Sequence, residues 1–324
     1  VGNFLPQIIE KYKDVKSIEI DVYDIDINSI KILSSLLKII NPPSNFKINI
    51  INQDFLLSNT SKKYDLVVGN PPFKKIVGNK ELLSLYRLNA INKESKNIFS
   101  FFLDKSINLG RYVSLIMPKS LTHTPEFDKT RDMLNSYNLL KICDYGEKGF
   151  NGVKIETISI LLEVKKEKSD NILIESFIRN SQKFEMKNYI FSKNFPYWII
   201  YRDKKFDKTL SKMQNGTFDF KRDRQITKKI TKKSGKFRVL KSRNIGNNKI
   251  IDNKKSDCYV DSIDNLSISK FMNSGAVLIP NLTYYPRGCF LPKNVIADGS
   301  VALLFVKRGV RKPNKKDLDF YGTE

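Results

Sequence analysis

The sequence predicts an α/β protein: a mostly parallel, doubly wound sheet over residues 1–185, then a smaller, basic α+β domain over 186–324. Three observations carry this. Short apolar, β-branched runs alternate with segments of helical spacing through the first half of the chain. One of those runs, Tyr64 to Val68, stops abruptly at Gly69-Asn70-Pro71-Pro72-Phe73. Basic residues also outgrow acidic ones late in the chain. Residues 1–200 hold 29 Lys+Arg against 22 Asp+Glu, and residues 201–324 hold 28 against 12, so most of the net +23 lies in the last two-fifths.

Taken in order, Val1-Gly2-Asn3-Phe4 leads into a helix over Leu5 to Tyr12, with apolar positions at Phe4, Ile8, Ile9 and Tyr12. Gly2 permits close backbone approach to a ligand at that helix start. Ser17 to Asp24 alternates as a strand, and Asn28 caps a helix running to Ile40. An acid at the end of this strand either holds ribose hydroxyls, as in Rossmann-like sheets, or caps the helix, as Asp26 could. Asn41-Pro42-Pro43-Ser44 follows a helix and reads as its stop. Phe46 to Asn52 reads as a further strand, followed by Asp54 and Phe55. Asp54 could accept from an adenine amine with Phe55 flanking the ring; the plainer alternative is a loop acid beside a core aromatic.

The strand Tyr64 to Val68 ends in two prolines that cannot continue a sheet ladder, which fixes a rigid turn at its carboxyl end. Open α/β sheets bind their ligands at that edge. The Asn70 side-chain oxygen beside a main-chain carbonyl makes a pair of acceptors for an NH₂ group, and Phe73 offers a stacking face. These features suit a nucleobase bearing an exocyclic amine; the plainer alternative is a Pro-Pro turn with a core Phe.

Lys74 to Lys96 reads as a mobile polar loop over this turn. Beyond it come a helix over Asn97 to Leu109, a strand over Arg111 to Met117, a helix over Phe127 to Ser136, and strands over Leu139 to Tyr145 and Ile155 to Val164. Lys187 to Arg202 reads as a linker packing onto the first domain. Phe206 to Met213 forms a short helix, while Phe237 to Ile245, Ala276 to Pro280 and Ile296 to Val306 form strands, and Lys312 to Asp319 reads as an exposed end. Lys221 to Lys236 holds eight basic residues in sixteen positions. A phosphate-contacting surface would use Lys221, Arg222, Arg224, Lys228, Lys229, Lys232 and Lys233, with Arg287 from an aromatic-rich stretch.

Cysteines 143, 258 and 289 are scattered and His123 is the single histidine, which argues against a zinc site or a disulfide framework. No apolar run approaches the ~18 residues of a membrane span, so the expectation is a cytoplasmic protein with no metal and no membrane partner.

The motif order resembles the γ-class adenine-N6 DNA methyltransferases of restriction–modification systems, across residues 1 to about 165. The resemblance implies a Rossmann-like sheet that binds S-adenosylmethionine (SAM), followed by a target-recognition domain. It places Gly2, Asn3 and Phe4 at the tail of the cofactor motif, and Asp24, with Ile25 beside it, at the ribose position. Asp54, Phe55 and Phe102 fall at the cofactor adenine. Asn70, Pro71, Pro72 and Phe73 are the catalytic motif, and Phe73 and Phe150 hold a flipped adenine between them. It implies double-stranded DNA as substrate and a cognate restriction endonuclease as partner. The family's segment before Gly2 is absent, so the chain reads as N-terminally truncated. Rival readings are a protein-glutamine methyltransferase using the same amide-holding motif, an RNA methyltransferase, and a non-catalytic DNA-binding subunit.

Overall fold

The computed structural model describes residues 2–88, 90–147, 149, 155–214, 216–283 and 285–321. They form two compact units, Val1–Asp207 and Lys208–Glu324. The division lies beyond the expected 185/186 because the segment after residue 186 buries Ile190, Trp198 and Ile200 in the first unit's core.

In the first unit, α1 (Leu5–Tyr12) precedes β1 (Ile18–Asp24), α2 (Ile27–Ile40) and β2 (Phe46–Asn52). Asp26, rather than Asn28, caps α2: its carboxylate accepts from the backbone N–H groups of Asn28 and Ser29. Asn41 ends α2 in the left-handed region at φ 48°, which an Asn ahead of two prolines tolerates. β1 and β2 pair in parallel over their whole length. Leu5, Ile9 and Leu33 from the two helices bury against Ile20, Val22 and Ile48 on these strands.

The remaining elements are β3 (Tyr64–Gly69), α3 (Lys80–Arg87), α4 (Ile98–Leu109), β4 (Gly110–Pro118), α5 (Asp128–Ser136), β5 (Asn138–Gly146), β6 (Thr157–Glu163), β7 (Asn171–Ser176), β8 (Ser181–Met186), α6 (Lys187–Ile190) and α7 (Lys204–Leu210). Six strands form one sheet in the order β3-β4-β6-β5-β7-β8. The pairs β3·β4 and β5·β7 are parallel, whereas β6 runs antiparallel to both its neighbours and β8 antiparallel to β7. The expectation of a mostly parallel sheet is corrected accordingly. β6 returns from β5 through a short connection, which allows only antiparallel insertion. Tyr64 Oη and Lys62 Nζ donate to Asp21 on β1 at 2.7 and 2.8 Å, tying the start of β3 to the two-stranded sheet.

Helix α4 lays Phe99, Leu103 and Ile107, four residues apart, onto this sheet, where they meet Val113, Leu115, Ile142 and Ile160. The 74–96 segment, expected as a mobile loop, carries α3 and is laced to the start of α4. Ile76 N–H donates to the Lys96 carbonyl at 2.9 Å and Ile98 N–H to that of Lys74 at 3.1 Å. Asn92 donates to the Glu126 carbonyl at 2.8 Å and to Thr130 Oγ1 at 3.0 Å.

The Asp104 carboxylate, buried on α4, accepts from Ile91 N–H at 3.0 Å, while its Oδ1 has no partner among the described residues. Burial raises its pKa to about 6, against the lowering effect of the Ile91 and Asn92 N–H groups. A folded-state pKa above the unfolded value means this group contributes stability at low pH and loses it as pH rises through about 6. Relative to Asp104→Asn, the native chain should therefore gain up to about 3 kcal/mol between pH 7 and pH 4. Denaturant melts of both chains at the two pH values measure this; a pH-independent difference would refute it.

The second unit contains β9 (Phe218–Arg222), β10 (Phe237–Leu240), β11 (Cys258–Val260), β12 (Val277–Pro280), β13 (Cys289–Phe290), β14 (Val295–Ala297), β15 (Val301–Val306) and α8 (Lys315–Tyr321). They make a four-stranded sheet, β13-β12-β15-β9, and a three-stranded one, β11-β10-β14. Val239, Leu240, Leu278, Ile296, Val301 and Leu303 share one core. Three expectations shift here. The strand expected over 237–245 stops at Leu240, because Ser242–Asn244 is a turn of 3₁₀ helix. The run 296–306 is two strands, broken at Asp298-Gly299-Ser300, where a side chain on Gly299 would strike the Asp223 carbonyl at 2.7 Å. The expected exposed end is α8, anchored by buried Leu318.

Candidate functional site

β3 delivers Asn70 to the carboxyl edge of the six-stranded sheet. Pro71 is buried behind it while Asn70 and Pro72 are exposed. Among the described residues the Asn70 side chain makes no hydrogen bond, and neither its main-chain carbonyl nor that of Pro71 accepts one. The turn thus presents open acceptors on a rigid backbone, since proline fixes φ and supplies no N–H. Phe73 is half buried and packs against the core built on Phe99 and Leu115. Phe150 lies outside the described residues.

Of the expected cofactor residues, Asp24, Ile25, Asp54 and Phe55 follow or end β1 and β2, and Phe102 stacks on Phe55. Tyr23, Phe55 and Phe102 form a chain of rings, with centroids 5.4 Å and 5.5 Å apart. Asp54 caps the short turn after β2, accepting from Leu56 N–H at 2.9 Å, and its second oxygen accepts from Tyr86 Oη at 2.5 Å. Burial first, and then this bond, raise the Tyr86 pKa. Lys105 on α4 donates to the carbonyls of Phe55, Leu56 and Ser58, which pins the turn. Asp24 uses one carboxylate oxygen on Asp26 N–H at 2.9 Å, and beside it Ile25 is 70% exposed. Gly2 holds φ 65° against α2, where a side chain would strike Leu33 Cδ1 at 2.6 Å.

An adenosyl group fits this ensemble with one restriction. A ring inserted between Phe55 and Phe102 needs about 7 Å, two carbon contact distances, and the centroids are 5.5 Å apart. A planar ring could therefore lie only against an outer face of this pair, and nearby Ile25 is exposed while one Asp24 carboxylate oxygen accepts no bond among the described residues.

The two halves of the site are joined. Ile76, three residues past Phe73, packs in the same small cluster as Leu56, Leu83, Tyr86 and Phe102. Tyr86 gave no sequence signal, because α3 is a short helix within a stretch that reads as a polar loop.

The basic residues expected to touch phosphate diverge in environment. Lys221 and Arg222 lie on β9, and Arg222 Nε donates to the Gly299 carbonyl at 2.6 Å. Lys232 pairs with Asp261. Arg287 is half buried and aimed at the Ser242 carbonyl. Arg224, Lys228, Lys229 and Lys233 are exposed. Among the described residues no group of His, Cys, Asp and Glu is placed to hold a metal ion, and no helix is long and apolar enough to cross a membrane.

Residues 8–150 match the Eco57I restriction-modification methylase family. Over 197 residues, 60% of the chain, the sequence is 26% identical to the Type II methyltransferase M.VspI of Vibrio sp. (strain 343), and it spans 47% of that relative. Two solved structures are similar in fold. The type IIG restriction endonuclease BpuSI superposes with a TM-score of 0.52 at 12% identity, over 95% of this chain and 53% of that one. The type IIL restriction-modification enzyme MmeI, solved with DNA, gives 0.50 at 13% identity, over 81% and 44%. The matched region is thus similar to restriction–modification methyltransferases, which bears out that part of the resemblance read from the motif order.

Proposed function

We propose that the protein transfers a methyl group from SAM to the N6 amine of adenine in duplex DNA, within a restriction–modification system. On this reading the first unit is catalytic, the second recognises the target sequence, and a cognate restriction endonuclease is the partner. The observation that carries it is the exposed Asn70, bonded to nothing described, on the proline-fixed turn after β3.

SAM, when bound, supplies an electrophilic methyl group. The adenine amine is a poor nucleophile because its lone pair is delocalised into the ring. The Asn70 side-chain oxygen and the Pro71 carbonyl accept hydrogen bonds from its two N–H groups, which favours a pyramidal nitrogen with its lone pair available, and the methylated nitrogen then releases one proton to solvent. No covalent intermediate on the protein is needed, so positioning and electrostatics supply the rate. Asp24 holds the ribose, and Asp54, Phe55 and Phe102 line the adenine side of the cofactor site, with Gly2, Asn3, Phe4 and Ile25 around it. The target base must leave the duplex to reach Asn70. The accessible part of Phe73, with Phe150, stacks on it, contributing about 1–3 kcal/mol per base toward the flipping cost.

Transfer of tritiated methyl from SAM, offered duplex DNA, RNA and a protein mixture in parallel, tests the assignment. Label in DNA alone is expected. Label in RNA or protein alone would overturn the substrate, and no transfer to any of them would favour a non-catalytic DNA-binding role.

A further inference from the structure

We infer that the second unit contains a discrete pocket for one backbone phosphodiester of a nucleic acid, built from Lys228, Lys241 and Arg243. Three separated stretches of chain form it. β10 and β14 pair in parallel with Leu240 opposite Ala297, so the segments leaving their carboxyl ends, 241–243 and 298–300, run side by side. Two hydrogen bonds lock them: Asp298 N–H to the Leu240 carbonyl at 3.0 Å and Ser242 N–H to Ser300 Oγ at 2.9 Å. Thr227, Lys228 and Thr231 close the third side of a cavity of about 300 Å³.

The chemistry of the walls selects the ligand. Lys228, Lys241 and Arg243 enter no ion pair among the described residues, although carboxylates in this unit neutralise Lys232, Arg238 and Arg311. The carboxylate on the wall, Asp298, is occupied internally, its Oδ1 accepting from Ser300 N–H at 2.9 Å and Ser300 Oγ at 2.6 Å. Three cations against one acid leave a net positive pocket lined with hydroxyls, the donor set that phosphate oxygens require. The lining contains no aromatic ring. It offers a base nothing to stack on, so the pocket holds backbone rather than reads sequence.

This inference uses the proposed function only in choosing duplex DNA as the source of the phosphate. The test is the salt dependence of binding, with unrelated and cognate duplexes, for the native chain, Lys241→Gln/Arg243→Gln and Lys228→Gln. Lys228 is exposed and makes no side-chain bond among the described residues, so its replacement cannot unfold the unit. The expected result is weaker binding by a similar factor on every duplex. The slope of log K against log salt should become shallower by about 1 for each phosphate the variant no longer neutralises. Unchanged affinity and slope in all variants would overturn the pocket, as would a loss confined to one sequence. Inorganic phosphate that stabilises the native second unit but not the variants, with the duplex slope unaltered, would identify a free-phosphate site and overturn the nucleic-acid assignment. If the native chain binds RNA and no duplex, the substrate reading fails, and the same slope measured on RNA decides the pocket.

Discussion

Asn70→Ala should lower methyl transfer by about 10²–10³-fold, the loss typical when one preorganised group that meets developing charge is deleted. The acceptor strengthens its bond to the amine only as the nitrogen becomes pyramidal and gains positive charge. The loss should therefore fall on kcat and on kcat/KM alike, with duplex affinity nearly unchanged. Asn70→Asp keeps acceptor oxygens and should lose less than Asn70→Ala. Stability gives the control: the Asn70 side chain is exposed and bonds to nothing described, so either change should move it by no more than about 0.5 kcal/mol. Single-turnover transfer rates alongside binding titrations measure this, and a variant with native kcat but raised KM would show that Asn70 only helps to bind.

Asp144→Ala should destabilise the first unit by about 3–5 kcal/mol, the cost of stranding a buried charge. Asp144 is fully buried at the end of β5. Its carboxylate accepts from Gly146 N–H at 2.9 Å and Tyr201 Oη, and pairs with Lys119 Nζ at 2.8 Å. Without it, among the described residues, the largely buried Lys119 ammonium keeps only the more exposed Glu156 carboxylate at 3.2 Å, and the Tyr201 hydroxyl keeps only Ser176 Oγ. Burial and the bond to Asp144 together raise the Tyr201 pKa, so its hydroxyl stays a donor at any neutral pH. Asp144→Asn retains acceptance from Gly146 and should lose less. Trp198, the single tryptophan, is buried in this unit's core, so its fluorescence in a denaturant melt reports this unit alone. An unshifted midpoint would rule out the buried-charge role of Asp144.

The candidate turn was legible in the sequence because context, rather than letters, carried it. Asn41-Pro42-Pro43 has the same first three residues, but it follows a helix and ends it, whereas Asn70-Pro71-Pro72 follows a strand. Most strand positions were legible for the same local reason, whereas the cap of α2 proved to be Asp26 in place of Asn28. Strand direction was not: an alternating run such as β6 has one pattern whether it pairs parallel or antiparallel, and its connection decides. Helix α3 escaped because it is short and none of its apolar residues, Leu82, Leu83, Leu85 and Tyr86, is fully buried. The unit boundary moved because Trp198 and Ile200 belong to a core whose other members lie far away in sequence. The phosphate pocket was invisible in the sequence for a related reason. Lys241 and Ser300 meet through the parallel pairing of β10 with β14 and Lys228 joins them from a separate stretch, and a basic run read alone gives charge without concavity.

If Asn70 and its turn hold an adenine amine, the identity of the methylated nucleoside must show it. Duplex DNA treated with the protein and labelled SAM is digested to nucleosides and resolved by mass spectrometry. Label is expected in N6-methyladenine and absent from the Asn70→Ala reaction. Label in N4-methylcytosine would keep the amide-acceptor chemistry and refute the adenine assignment, and label in C5-methylcytosine would exclude the role of Asn70 altogether.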